Sequence, residues 1–213
     1  MPSAIPIDDK DVLLAIDLQA DFMPGGALAV DEGDLVVPEV NALMRAFPHV
    51  VVTQDWHPPG HASFASTYGA APFETKRLHY GDQTLWPDHC VQGTAGGALH
   101  PDLETDRASL ILRKGMRADV DSYSAFVEAD GRTTTGLAAL LRARGVSRVF
   151  CCGLATDYCV AFSALDARAA GFETFVIGDA CRAIDANDSL AAAWARMNAA
   201  EVRRVEALEI VGR

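Results

Sequence analysis

The sequence predicts an α/β fold: a three-layer α/β/α sandwich on a mostly parallel sheet. Three observations predict it. Short runs of Val, Ile and Leu alternate with segments of helical spacing along most of the chain. The runs are continuous in their apolar character rather than alternating, as strands buried on both faces are. No internal repeat and no low-complexity linker interrupts the succession of strand and helix, which favours one layered α/β domain spanning 1–213.

In chain order, residues 12–16 read as the first strand, 35–47 as a helix and 50–53 as the second strand. A polar stretch rich in Gly, Pro and His then runs from about Asp55 to Asp106. It is too long for a bare connection, so an insertion that carries function, and metal-binding in character, is expected around 55–106. Residues 110–112 read as the third strand, 136–144 as a helix, 149–152 as the fourth strand and 157–170 as a helix. The fifth strand is expected at 174–177, a helix at 189–200 and a last strand at 202–205.

Composition narrows the function classes. Hydrophobic residues make up 50% of the 213 and charged residues 22%, an ordinary globular balance. A chain of this length can bury roughly 70% of its unfolded surface without disulfide or metal staples. The formal charge of −11 would repel phosphate, which argues against a nucleic-acid or anionic-membrane partner. No apolar run reaches the ~18 residues that span a bilayer. The first residues carry Asp8, Asp9, Lys10 and Asp11 rather than a basic segment followed by an apolar one, so no secretory signal is expected. The five cysteines are odd in number and include no Cys-x-x-Cys pair, which points to a reducing cytoplasm. Oligomeric state is left open, a homo-oligomer included.

Ligands of open α/β sheets sit at the carboxyl ends of the strands, so the residues that follow each strand matter most. The first strand ends in Asp17, the second in Asp55-Trp56-His57, and the third in Lys114. The fourth runs into Gly153-Leu154-Ala155-Thr156-Asp157-Tyr158-Cys159. An acid, a metal-type cluster, a base and a thiol thus converge on one edge. Cys159 stands out among the cysteines because Thr156 is placed to cap the helix that carries it. The helix dipole then favours a thiolate, and a nearby Lys114 would lower the thiol pKa further. Asp17 can exchange a proton with that thiol, completing a set of nucleophile, base and charge partner. No histidine lies close to Cys159 in sequence, so a Cys–His pair is not indicated locally.

Asp55-x-His57-x₃-His61, with His89 beside Trp86 further on, offers carboxylate and imidazole ligands suited to Zn²⁺, Fe²⁺ or Mn²⁺. Two ligands one residue apart point the same way on extended backbone, as Asp55 and His57 would on leaving a strand. A solvated polar loop is the plainer alternative for such residues. The other histidines, His49, His79 and His100, lack comparable company.

Asp17-Leu18-Gln19-Ala20-Asp21-Phe22, followed by Gly25 and Gly26, forms an acid motif. Gln54-Asp55-Trp56-His57-Pro58 and Trp86-Pro87-Asp88-His89-Cys90-Val91-Gln92-Gly93-Thr94 form metal segments. Lys114-Gly115 with Asp121-Ser122-Tyr123-Ser124-Ala125-Phe126 forms a lysine segment, and 153–160 a nucleophile segment. In this order they resemble the cysteine hydrolase superfamily named for isochorismatase and, within it, the nicotinamidase (pyrazinamidase) family. The Asp, Lys and Cys positions carry the likeness to the superfamily, and the metal segments narrow it.

The resemblance implies a six-stranded sheet of order 3-2-1-4-5-6. It implies a cis peptide bond between Leu154 and Ala155 that aims the Ala155 N–H, with that of Cys159, at an oxyanion. It implies catalytic Asp17, Lys114 and Cys159, and metal ligands Asp55, His57 and His89, with His61 a further candidate because family members differ in that spacing. Zn²⁺ is the first expectation for the metal, ahead of Fe²⁺ or Mn²⁺. Phe22 and Trp86 would sandwich a pyridine ring. The implied reaction is nicotinamide plus water to nicotinate plus ammonia through a Cys thioester, with pyrazinamide also accepted, serving NAD salvage. A neutral amide needs no basic pocket, so the acidic composition raises no conflict. Two alternatives stay open: another amidase or hydrolase of the same superfamily, and a non-catalytic metal- or ligand-binding protein.

Overall fold

A computed structural model describes residues 4–212 of the chain. The elements are, in order, β1 (Asp11–Ile16), α1 (Val36–Ala46), β2 (His49–Asp55), β3 (Thr75–Leu78), β4 (Gly81–Thr84), β5 (Leu110–Lys114) and α2 (Leu137–Ala143). They continue with β6 (Arg148–Leu154), α3 (Ala161–Ala169), β7 (Glu173–Arg182), α4 (Ser189–Ala199), β8 (Arg203–Val205) and α5 (Leu208–Val211). Six strands form one sheet of order β5-β2-β1-β6-β7-β8, and each of its pairings is parallel. Counting only the strands of that sheet, the order is 3-2-1-4-5-6, as expected.

The continuous apolar runs have the burial they imply. All six residues of β1 and six of the seven in β2 and in β6 are buried. Helix α1 packs on β1, β6 and β7 with α5 beside it, and α3 packs on β6 and β7 with α4 beside it. Right-handed crossovers that lead one way from β1 and the other way from β6 put these two layers on opposite faces. Within α1, Val36, Val37, Val40, Leu43 and Met44 form the buried stripe. Pro48 excludes Phe47 from helical geometry, and Phe47 is extended at φ −97° and ψ 136°, so the helix stops at Ala46. Phe47 then meets Phe150 edge-on, and Phe150 stacks on Phe175 at 4.3 Å.

Some expected elements differ. The helix expected over 157–170 begins with a π-helical turn, Thr156–Val160, and becomes α-helical only at Ala161. Thr156 makes no side-chain cap. Strand β7 runs well past residue 177 because its register shifts, with Val176 opposite Cys151 and Cys181 opposite Gly153. The insertion holds an antiparallel hairpin, β3 with β4, whose mostly exposed residues leave no apolar pattern to read.

The switch in strand order falls between β1 and β6, which lead to helices on opposite sides, and it opens a crevice at their carboxyl ends. Gly153 makes the closest approach there. It pairs with Ile16 at φ +110°, and a Cβ at this position would lie 2.2 Å from the Ile16 carbonyl oxygen. Gly153→Ala should combine positive-φ strain with a backbone clash, together about 3 kcal/mol or more. For a chain of this size that lowers the melting temperature by roughly 6–12 °C. Thermal unfolding checks this, and a shift below about 3 °C would mean that β1 and β6 move apart freely.

Candidate active site

The four strand ends predicted to converge do so around the ammonium group of Lys114, the last residue of β5. Its Nζ lies 2.8 Å from Asp17 Oδ2, 3.1 Å from Asp55 Oδ1, 3.1 Å from the Ser122 carbonyl and 3.5 Å from Cys159 Sγ. All four side chains are buried. Asp17 follows β1 with φ 51°, and its backbone N–H donates to Thr53 Oγ1. The Thr53 hydroxyl in turn donates to Asp17 Oδ1 at 2.6 Å, which fixes the carboxylate with Oδ2 toward the lysine.

Cys159 sits in the π-helical turn after β6, and the Leu154–Ala155 peptide bond before that turn is cis. Tyr158 and Val160 both donate to the Ala155 carbonyl at 3.1 Å, and the Cys159 N–H between them does not. The expected depression of the thiol pKa is not found. Burial pushes the Cys159 thiol well above the ordinary range; Lys114 opposes this, while Asp17 and Asp55 add to it. Burial also raises the Asp17 carboxyl, against the pull of Lys114. For Lys114 burial acts downward, but the negative charges of Asp17 and Asp55 prevail and hold it firmly protonated. Burial thus favours the neutral thiol at Cys159, with the Asp17 carboxyl beside it.

Asp55, His57 and His89 bring one ligand atom each within 4.8 Å of one another. His57 Nε2 lies 3.0 Å and His89 Nε2 3.6 Å from Asp55 Oδ2. The Nδ1 of each ring faces a backbone carbonyl, Gly115 O at 3.0 Å for His57 and Pro87 O at 2.8 Å for His89. An Nδ1–H donated to a carbonyl leaves Nε2 of a neutral ring with its lone pair free. Burial disfavours the charged form of His57, but Asp55 outweighs it and raises the ring toward protonation; a trio of one carboxylate and two imidazole nitrogens that draws positive charge in this way fits a metal. His61 is turned elsewhere. Its Nδ1 accepts from the Ser63 N–H at 3.3 Å, its Nε2 faces the Val120 carbonyl at 3.1 Å, and its ring stacks on His57 at 4.2 Å. His57, His61 and Asp121 form a second close group. Both Asp121 oxygens already accept hydrogen bonds, from the Ser122 N–H and Gln83 Nε2.

A narrow pocket joins Cys159 and Ala155 to His89 and Asp55. Phe22 and Trp86 line it, and so do Leu28, Tyr123, Tyr158 and Ile184. The last four were not singled out from sequence. Tyr158 could have been, as the neighbour of Cys159; Leu28 and Ile184 gave no signal. Trp86 is fixed in place, since its Nε1 donates to the Tyr123 hydroxyl at 2.9 Å.

A family model described as the isochorismatase domain matches residues 11–207. A nicotinamidase of Acinetobacter baylyi is 51% identical over 200 residues, covering 93% of this chain and 94% of that one. The chain belongs to the nicotinamidase family of isochorismatase-like hydrolases. Among solved structures, a nicotinamidase/pyrazinamidase of Acinetobacter baumannii matches with TM-score 0.94 at 50% identity, over 95% of this chain and 98% of that one. A protein of L. infantum in complex with nicotinate matches with TM-score 0.86 at 40% identity, over 97% and 98%. A pyrazinamidase of Pyrococcus horikoshii in complex with zinc matches with TM-score 0.75 at 38% identity, over 92% and 99%.

Two outcomes follow from this geometry. His57→Ala and His89→Ala should lose most bound Zn²⁺, while His61→Ala should keep it, as checked by metal analysis of dialysed protein. Cys159 should react with iodoacetamide only as pH climbs past the range of an ordinary thiol, about 8.5. Asp17→Asn removes a neighbouring negative charge and should shift that rise to lower pH; an unchanged alkylation profile would sever Asp17 from the thiol.

Proposed function

We propose that this protein is a nicotinamidase that hydrolyses nicotinamide to nicotinate and ammonia, and pyrazinamide likewise, in NAD salvage. The observation that carries it is the contact of Cys159, Lys114 and Asp17 beside a small aromatic pocket that Cys159 lines together with Asp55 and His89 of the Asp55, His57 and His89 cluster. The relatives named above, one with nicotinate and one with zinc, support the same substrate and metal. Five free cysteines, and no helix among the described residues long and apolar enough to cross a membrane, support a cytoplasmic setting.

In this reading Asp17 accepts the thiol proton as Cys159 Sγ attacks the carboxamide carbon. The proton moves between two groups that flank Lys114, so the net charge of the buried site does not change. The N–H groups of Ala155 and Cys159 hold the tetrahedral oxyanion. Asp17 returns the proton to the departing nitrogen, which leaves as ammonia, and a thioester remains on Cys159. Asp17 then takes one proton from water, whose oxygen attacks the thioester, and gives it to the departing Cys159 sulfur; the product leaves as nicotinic acid, which loses its remaining proton to solvent as nicotinate. Phe22 and Trp86 face the ring, with Tyr123 holding the Trp86 indole. A divalent metal held by Asp55, His57 and His89, Zn²⁺ by the zinc-bound relative, would supply a Lewis acid for the pyridine nitrogen and draw charge from the carboxamide.

Cys159→Ala should abolish ammonia release, and mass spectrometry of wild type quenched in turnover should show a nicotinoyl adduct on Cys159. Asp17→Asn should lower turnover by about 10²–10⁴-fold, the usual worth of a general acid–base group. Benzamide has the shape of nicotinamide without the ring nitrogen. Its kcat/KM should be lower by orders of magnitude, because a site built around a polar contact rejects the analogue that lacks it. Equal rates on the two amides, or full activity in metal-free protein, would give the case to a metal-independent hydrolase of the same superfamily.

A further inference from the structure

Three polar side chains alternate along the segment after β1, Asp17, Gln19 and Asp21, and the catalytic scheme uses only the first. Gln19 is fully buried. Its Oε1 accepts from the Asp55 backbone N–H at 2.6 Å, and its Nε2 donates to the Asp55 carbonyl at 2.8 Å. One side-chain amide thus grips both polar groups of one residue, as a neighbouring strand would. The same Nε2 reaches the Gly97 carbonyl at 3.0 Å, so Gln19 ties the metal segment at the end of β2 to the loop after His89. Asp21 holds the other half of the cluster. Its Oδ2 accepts from the Cys90 N–H at 2.7 Å, one residue beyond His89. Cys90 has φ 48°, and its carbonyl accepts from the His57 N–H at 3.0 Å. The fit around Asp21 is tight: a Cβ on Gly96 would lie 2.1 Å from Asp21 Oδ2.

We infer that Gln19 and Asp21 are positioning residues for the metal, Gln19 fixing Asp55 and Asp21 fixing His89, so that the segment carrying Asp17 also sets the geometry of the ligands. This rests on the metal reading of Asp55, His57 and His89. Groups behind metal ligands typically govern affinity by 10–100-fold. Gln54 provides the control. It is buried one residue before Asp55 and donates to the same Gly97 carbonyl at 2.8 Å, yet its side chain makes no hydrogen bond to Asp55.

The test is a Zn²⁺ titration of the full chain against a competing chromophoric chelator, with thermal melts of each variant. Gln19→Leu and Asp21→Ala should weaken Zn²⁺ binding by tenfold or more, Gln54→Leu by less than about threefold. Asp21→Asn, which keeps an acceptor oxygen for the Cys90 N–H, should recover most of the affinity lost in Asp21→Ala. If Gln19→Leu does not fold, Gln19→Glu takes its place; it keeps the acceptor for the Asp55 N–H, lacks the donor, and should still lose affinity. Wild-type affinity in folded Gln19 and Asp21 variants, or equal losses in Gln54→Leu and Gln19→Leu, would overturn the positioning role alone. A wild type that binds no Zn²⁺ would overturn the metal reading beneath it.

Discussion

The site is organised by one buried cation. Lys114 Nζ is in reach of two carboxylates, a carbonyl and a thiol, each delivered by a different segment. Burying an ammonium alone would be prohibitive, and burying either carboxylate alone would protonate it. Together they offset one another: Lys114 pulls against the burial that raises Asp17, the two carboxylates hold Lys114 charged, and removal of the lysine would leave both carboxylates without a partner. The arrangement also suits proton transfer. Moving a proton from Cys159 to Asp17 relocates a negative charge between two neighbours of the same lysine, so little has to be solvated anew as the nucleophile forms. A divalent metal on Asp55 would offset the second carboxylate, which has no proton to trade in this scheme.

The sheet makes that contact reproducible. Asp55 and Lys114 are direct partners in the pairing of β2 with β5, and Ile16 and Gly153 are direct partners in that of β1 with β6. A slip of one residue in either pairing would move a group by about 3.3 Å and turn it to the opposite face. Both faces of β1, β2 and β6 are buried, so such a slip would trade side chains of different size between two packed layers, leaving voids on one face and overpacking the other. Hydrophobic register, set far below the site, is therefore what fixes the distances at its top. The Gln19 and Asp21 hydrogen bonds extend this control beyond the strands, to the insertion loops whose backbone has no sheet to follow.

Much of this was legible in the sequence because parallel strands buried on both faces are written as unbroken apolar runs, and because the polar residues that end them differ in chemistry. Asp17, Asp55, Lys114 and Cys159 stand out by position alone, and their segments resemble one family from end to end. What was not legible depends on contacts between distant residues. Strands β3 and β4 are too exposed to show periodicity. Thr156 looks like a helix cap but makes none, and its neighbour Asp157 is buried and accepts from the N–H groups of Ile184 and Asp185 and from the Ser189 hydroxyl. It docks a later loop onto the turn that carries Cys159, and that loop brings Ile184 to the pocket. His61 has ligand spacing but spends its nitrogens on Ser63 and Val120, a choice that only the folded loop decides.

The thiol carries a more general point. Local reasoning from a helix start and a nearby lysine favours a thiolate, and burial reverses the sign. Cys90, Cys151, Cys152 and Cys181 are also buried and also raised by burial, so pKa does not set Cys159 apart from the other four. Its neighbours do: of these thiols, Cys159 alone combines contact with the lysine ammonium, a position two residues into the turn after Asp157, and a face on the cavity. A thiol that ionises only when a proton acceptor and an electrophile are both in place is also slow to oxidise, since oxidants attack the thiolate. In the mechanism proposed above, reactivity at Cys159 is therefore supplied at the moment of attack by Asp17 and Lys114 rather than stored in the resting state.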